Sequence, residues 1–203
     1  SSMASTASPY GLRAVNELGG LPYAGSTRTF LIDPAGYNTN IFNGSIVAIN
    51  TSGYLNIVTT NGDNSTPFPA GTIGVFVGCS YYNAQGQLIF SQYYPANTTG
   101  VVQAFVVDDD RAVFQVQADD SIGQTGLGMN AILAAVQSTS TGSTTTGNST
   151  TAISHTLAAT SGYAFRIVGF VNSTTSQVGD AYTDVLVKFN PGSHSYSNAT
   201  GVA

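Results

Sequence analysis

Only a handful of side chains in this sequence could do chemistry. They are two histidines (His155 and His194), one cysteine (Cys79), one lysine (Lys188) and two acidic runs, Asp108-Asp109-Asp110 and Asp119-Asp120. Neither histidine stands in an H-x-E, H-E-x-x-H or Cys-His spacing, so no zinc site is predicted and both are placed in turns or at the surface. No G-x-S-x-G elbow presents a serine, and a catalytic triad would rest on the mere presence of a histidine. A phosphate-binding loop is excluded as well, because Lys188 lies inside an apparent strand. Gly123, Gly126 and Gly128 cluster, as a chain with 23 glycines will do by composition. Cys79 follows the apolar run Gly74-Val75-Phe76-Val77-Gly78 and reads as a buried, inert thiol.

The acidic runs call for a separate weighing. Five carboxylates near one end of a sheet could hold calcium, which takes about six to eight oxygen ligands from loops. Their spacing does not fit an EF-hand loop, however, and consecutive aspartates point in different directions. Turn residues, with Arg111 as a partial counter-ion, are the favoured reading. The sequence thus predicts no catalytic, cofactor-binding or metal-ligating residues, and a protein that is not an enzyme.

Composition shows what the chain has instead of reactive groups. Charged residues are 7% of it, against about 25% in ordinary soluble domains, and Ser, Thr, Asn, Gly and Tyr take their place. Such an exterior suits lasting contact with other protein, because neutral polar groups lose less on desolvation than ions do. A net charge of −5 with 5 Lys and Arg argues against nucleic acid, whose phosphates require clustered cations. A membrane span is not predicted, since no apolar run approaches the ~20 residues required. Ser1 to Arg13 also lacks the charged start and apolar stretch of a secretion signal. Seven Asn-x-Ser/Thr sequons begin at Asn43, Asn50, Asn64, Asn97, Asn148, Asn172 and Asn198; composition accounts for them.

The elements that would carry these residues read as strands. Short runs rich in Val, Ile, Phe and Tyr are bounded by Gly, Pro, Asn and Ser at intervals of about ten residues, as in sandwiches and barrels. Strands are predicted at 27–32, 46–50, 54–59, 74–82, 88–94, 101–107, 112–117, 152–157, 165–172 and 184–189. Hairpins are expected at Asn50-Thr51-Ser52-Gly53 and Asn83-Ala84-Gln85-Gly86, where the late glycine can take a positive φ. The doublets Tyr81-Tyr82 and Tyr93-Tyr94 look like the two arms of the second hairpin. Met129, Ile132, Leu133 and Val136 fall at helical spacing and predict a short helix. Residues 138–151, nearly all Ser, Thr and Gly, predict a long exposed loop.

The fold class expected is all-β and mainly antiparallel: a sandwich or small barrel with at most one or two short helices. Residues 26–203 would form it, as one domain or as two β lobes joined near 118–150. Residues 1–25 differ, with apolar side chains in neither regular period. They are read as an extended arm laid over a neighbouring surface, with Pro9, Tyr10, Leu12, Arg13, Leu18, Leu21 and Tyr23 as contacts; the alternative is a segment draped over its own core.

The order of short blocks carries a resemblance. Ala7-Ser8-Pro9-Tyr10-Gly11-Leu12-Arg13, Gly25-Ser26-Thr27-Arg28 and Ile41-Phe42-Asn43-Gly44 open it. Gly74 to Tyr81, Phe90 to Ala96, Val106 to Asp109, Ala112 to Gln117, Phe165 to Val168 and Val187 to Tyr196 follow. Together they resemble virion structural proteins encoded near the major capsid gene in tailed phages, over almost the whole chain. Tyr94, Ser45 and Asp110 depart from the Trp, Asp and Pro common in that family. The resemblance implies a capsid decoration, or cement, protein. Such a protein is made in the host cytoplasm, binds the outer surface of the head and clamps neighbouring copies of the major capsid protein. It also implies self-association, with a trimer favoured over a dimer. The competing class is a fibre-tip or adhesin-like module binding host-surface carbohydrate through its 11 tyrosines.

Overall fold

The computed structural model describes residues 6–15 and 25–202. It is a β-sandwich of two antiparallel sheets, without a closed barrel. The strands are β1 (Arg13–Val15), β2 (Arg28–Ile32), β3 (Ile46–Ile49), β4 (Leu55–Ile57), β5 (Thr72–Tyr82), β6 (Leu88–Ser91), β7 (Val102–Val107), β8 (Val113–Gln117), β9 (Asn130–Ala131), β10 (Phe165–Phe170) and β11 (Asp184–Phe189). One sheet runs β1-β8-β11-β10-β9. The other runs β2-β7-β5-β3-β4, with β6 added beside the far half of β5. Two single-turn 3-10 helices, Gln124–Gly126 and Pro191–Ser193, are the helical content of the described residues.

Two hydrophobic cores result, because the larger sheet is covered on both faces. Between the sheets lie Phe114, Val116, Phe165, Ile167, Val185, Val187 and Phe189 from one side, and Ile46, Ala48, Val75 and Val107 from the other. The opposite face of the larger sheet buries Ile32, Val47, Leu55, Ile73, Phe76, Cys79, Val102, Ala104 and Val106 under Ile41 and Tyr94. That sheet curls enough to bring its edge strands β2 and β4 near each other. Strand β5 serves both cores by changing phase at an irregularity. Ile73 and Val75 would share a face in a regular strand, yet they enter different cores. Gly74 sits between them at φ +147°, and a Cβ there would stand 2.0 Å from the Val107 carbonyl oxygen. No other residue fits that bulge.

Both expected hairpins form. Asn50 Oδ1 accepts the backbone N–H of Ser52 and Tyr54, and Asn83 Oδ1 accepts those of Gln85 and Gln87. Gly53 and Gly86 take φ of +82° and +77° with open space around them. Gly53→Ala should therefore cost about 1 kcal/mol from left-handed backbone strain alone, lowering the melting midpoint by about 2–4 °C. A calorimetric scan checks this; an unchanged midpoint contradicts the turn assignment.

The structure corrects the reading of 129–157. No helix forms at 129–136: Ala131 and Leu133 point into the core while Val136 is exposed, so the period is two. The predicted strand 152–157 reduces to bridges from Ile153 to Ala118 and Leu133. Residues 138–151 are not simply exposed either. Gly147, Ser149 and Thr151 are buried, and Asn43 exchanges backbone hydrogen bonds with Gly147 and Ser149. In the second hairpin, Tyr81 and Tyr82 are in β5, but Tyr93 and Tyr94 lie beyond the end of β6. Tyr94 is instead fully buried, its hydroxyl accepting the Tyr37 N–H at 3.0 Å.

Candidate functional site

The first segment read as a partner contact is fixed largely to the chain's own sandwich. Gly11 N–H donates to the Thr151 carbonyl and Leu12 N–H to the Gly44 carbonyl. Arg13, Ala14 and Val15 then pair with Gln115, Phe114 and Val113 of β8. Leu12 is 1% exposed and belongs to the core between the sheets, so it is not available to a neighbouring molecule. The Tyr10 hydroxyl donates to Asp184 Oδ1 at 2.7 Å and accepts from Gln115 Nε2 at 2.9 Å. Burial, followed by the Asp184 carboxylate, raises its pKa well above the usual tyrosine value. Arg13 stays exposed, its guanidinium 4.3 Å from the Tyr10 ring centre. Pro9 is half-buried. Leu18, Leu21 and Tyr23 lie outside the described residues.

The same segment explains a polar face that would otherwise be bare. Gln117 Oε1 accepts the Ser8 N–H and its Nε2 donates to the Thr6 carbonyl. The outward side of β8 is thereby covered by backbone rather than by apolar side chains.

The potentially reactive residues do not converge. Asp108 is buried and accepts the Tyr196 hydroxyl at 2.7 Å, while Arg28 donates to that hydroxyl at 2.9 Å and lies 3.7 Å from the carboxylate. Its counter-ion is thus Arg28, not Arg111 as the local sequence implied. Arg111 closes the turn through its N–H to Asp109 Oδ1. Burial, with Asp108 second, raises the Tyr196 pKa. Cys79 is buried, and burial pushes its thiol up to about 12, which leaves it protonated and inert. Among the described residues no group of three or more His, Cys, Asp or Glu side chains could hold a metal.

The two histidines differ in a measurable way. His155 is at the surface, its Nδ1 2.8 Å from Asp119, and that hydrogen bond raises its pKa. His194 opens a turn, its carbonyl accepting the Ser197 and Asn198 N–H groups, but it is fully buried rather than at the surface. It packs edge-on against Phe189 and Tyr196, and its Nδ1 accepts the Tyr196 N–H. Burial lowers its pKa. His155 protonation therefore favours the fold below the unfolded value of about 6.5, and that small surface contribution fades as pH rises through the raised folded value. For His194 the sign reverses: stability is intact above about 6.5 and is lost as pH falls toward the depressed folded value. Ring-proton NMR should show His155 titrating above about 6.5 and His194 below it; a shared midpoint would contradict the structure.

One surface region stands out, and nothing in the sequence reading anticipated it. Beyond Val75 and Val107, the face of the larger sheet that packs on the smaller one continues without a cover among the described residues. The cross-strand pairs there are Tyr82 with Leu88, Ser80 with Phe90 and with Gln103, and Gln103 with Leu31. Phe90 is 73% exposed and Tyr82 61%; Leu31, Leu88 and Val101 are exposed too. No charged residue takes part in these pairs. Exposed apolar groups scattered singly are ordinary, whereas a contiguous set marks a contact surface.

Comparison with protein-family models, with curated proteins and with solved structures finds no match for this chain.

Proposed function

We propose that this chain is a non-enzymatic decoration (cement) protein of a tailed-phage head. In this reading it binds the outer surface of the shell and bridges neighbouring copies of the major capsid protein. The observation that carries the reading is the exterior: 7% charged residues over the whole chain, with large apolar side chains left outside a sandwich whose two cores are otherwise closed. A surface of that kind loses little on desolvation and responds weakly to salt. The block-by-block resemblance to virion proteins points the same way.

The physics of the task suits the molecule. A protein that binds the closed shell but not its dispersed subunits stabilises the shell by mass action, and many identical contacts reinforce one another without any being large. Sheets pinned by long-range backbone pairing make a stiff clamp. With Leu12 committed to the chain's own core and the Tyr10 hydroxyl held by Asp184 and Gln115, the anchors that remain for the shell in this reading are Pro9, Arg13, Leu18, Leu21 and Tyr23.

Co-sedimentation of purified protein with emptied heads, and separately with host cells, tests the proposal. Saturable binding to heads at fixed stoichiometry, with none to cells, is the expected result. Binding to cells that soluble glycans displace would instead assign the chain to the adhesin class.

A further inference from the structure

We infer that residues 194–202 form an acid-released strap: protonation of the His194 ring breaks its grip on the Tyr196 backbone and lets the segment lift away while both sheets stay folded.

The strap is fastened to the sandwich at few points. Ser195 N–H donates to the Thr72 carbonyl, Asn198 Nδ2 donates to the Ala70 carbonyl, and the Tyr196 hydroxyl donates to Asp108 while accepting from Arg28. Apolar burial adds little. None of residues 195–202 is buried, and the large apolar side chains among them, Tyr196 and Val202, are 48% and 43% exposed. A segment with so few buried apolar contacts opens at far lower cost than the whole fold. The chain just before it is different, because Asn190 Nδ2 donates to the Asn130 side chain and to the Tyr163 and Phe165 carbonyls, and Phe189 belongs to the core between the sheets. Opening should therefore begin after Asn190, at the single-turn helix Pro191–Ser193, where Gly192 has open space around it.

His194 is what acid acts on. Its buried Nδ1 accepts the Tyr196 N–H at 3.1 Å, so the neutral ring carries its proton on Nε2. A second proton would make Nδ1 a donor, facing the Tyr196 N–H donor at the same distance. The bond would be replaced by a clash of two hydrogens. Nε2 offers nothing in exchange: it has no hydrogen-bond partner, although the Ile73 backbone is close enough to favour the charged ring. The carboxylates of Asp108, Asp109 and Asp110 in the β7–β8 turn favour it too, but burial outweighs them all. Arg28 reaches in from β2 to the Tyr196 hydroxyl with the same sign as the imidazolium, and β11 presents the uncharged Phe189 ring.

Lifting the strap resolves the conflict by giving both donors to water. In the open form the ring titrates at its ordinary value of about 6.5, so below that pH the open form takes up a proton that the closed form refuses. The opening equilibrium then rises by up to about tenfold for each pH unit, until the closed ring itself titrates. This goes beyond a general loss of stability in acid, since the cheapest way to expose His194 is to release the strap alone. It does not depend on whether the chain binds phage heads.

Native-state hydrogen exchange of the full chain, followed by NMR on both sides of about pH 6.5, tests this. After correction for intrinsic exchange, the amides of Ser195, Tyr196 and Asn198 should be at least about tenfold less protected at every pH than those of Ile167 and Phe76, which donate to Met129 and Ser45 within the sandwich. Their protection should also fall by up to about tenfold per unit below about 6.5. His194→Gln, whose amide oxygen can accept the Tyr196 N–H at any pH, should abolish that fall. Strap amides as well protected as Ile167 and Phe76, or strap protection that does not fall in acid, would overturn the inference on the unaltered chain alone. The same fall persisting in His194→Gln would overturn it as well.

Discussion

Removing residues 1–15 should cost the fold several kcal/mol and lower its melting midpoint by ten degrees or so. Leu12 fills the core between the sheets, and deletion of a buried leucine side chain costs about 2–5 kcal/mol. The truncation also strips β1 from β8, leaves Gln115 and Gln117 without Tyr10, Ser8 and Thr6, and takes the Tyr10 hydroxyl from Asp184. With about 2–4 °C per kcal/mol for a chain of this size, and total stabilities of about 5–15 kcal/mol, the truncated chain is left near its limit. Leu12→Ala alone should show much of the loss. Chemical denaturation checks both, and a truncated chain as stable as the whole would show that the segment is the detachable arm the sequence brought to mind.

A second large effect is expected at Gln137. Its side chain ends the β3–β4 ladder: Oε1 accepts the Ile46 N–H at 2.9 Å, and Nε2 donates to the Ile46 and Val58 carbonyls, both at 2.9 Å. The Thr151 hydroxyl donates to the same Oε1. Every hydrogen-bonding site of the amide is used, in a residue that is almost fully buried. Gln137→Leu keeps the bulk but strands the Ile46 N–H and the Val58 carbonyl away from water. At about 1–3 kcal/mol for each buried group left unpaired, the loss should be about 2–6 kcal/mol. Urea unfolding measures it. A loss below about 1 kcal/mol, the worth of one ordinary hydrogen bond, would mean that water or another group replaces the amide.

Gln137 also shows where the sequence stops being legible. It lies between a stretch with helical spacing and a run of Ser and Thr, and its partners are Ile46 and Val58, far away in the chain. Short-range patterns cannot report such a bond. The hairpins at Asn50–Gly53 and Asn83–Gly86 were legible because the turn is specified within the turn: an asparagine that caps two N–H groups and a glycine with positive φ. Strands β5, β7, β8 and β10 were legible from their Val, Ile and Phe content, since any buried strand needs it. Residues 129–136 misled because Ile132 and Val136 complete a helical stripe on paper, while the chain buries Ala131 and Leu133 instead.

The candidate contact surface was hidden for a related reason. Leu88, Ile89 and Phe90 read like any strand bound for a core, and composition does not say which face of a sheet receives a cover. Only the placement of the smaller sheet leaves Phe90 outside. Conversely, Leu12 looked free because its segment has no periodicity, yet Gly44 and Thr151 hold it in place. Asp108 was assigned to its neighbour Arg111, when its ionic partner comes from β2.

The most direct test of the proposed decoration role is a cryo-EM map of tailed-phage heads assembled in the presence of this chain. The account predicts a two-sheet β density of this size on the outer surface of the shell, bridging adjacent capsid subunits in regular array. A bare shell, with the same density at a fibre tip or nowhere on the particle, would contradict it.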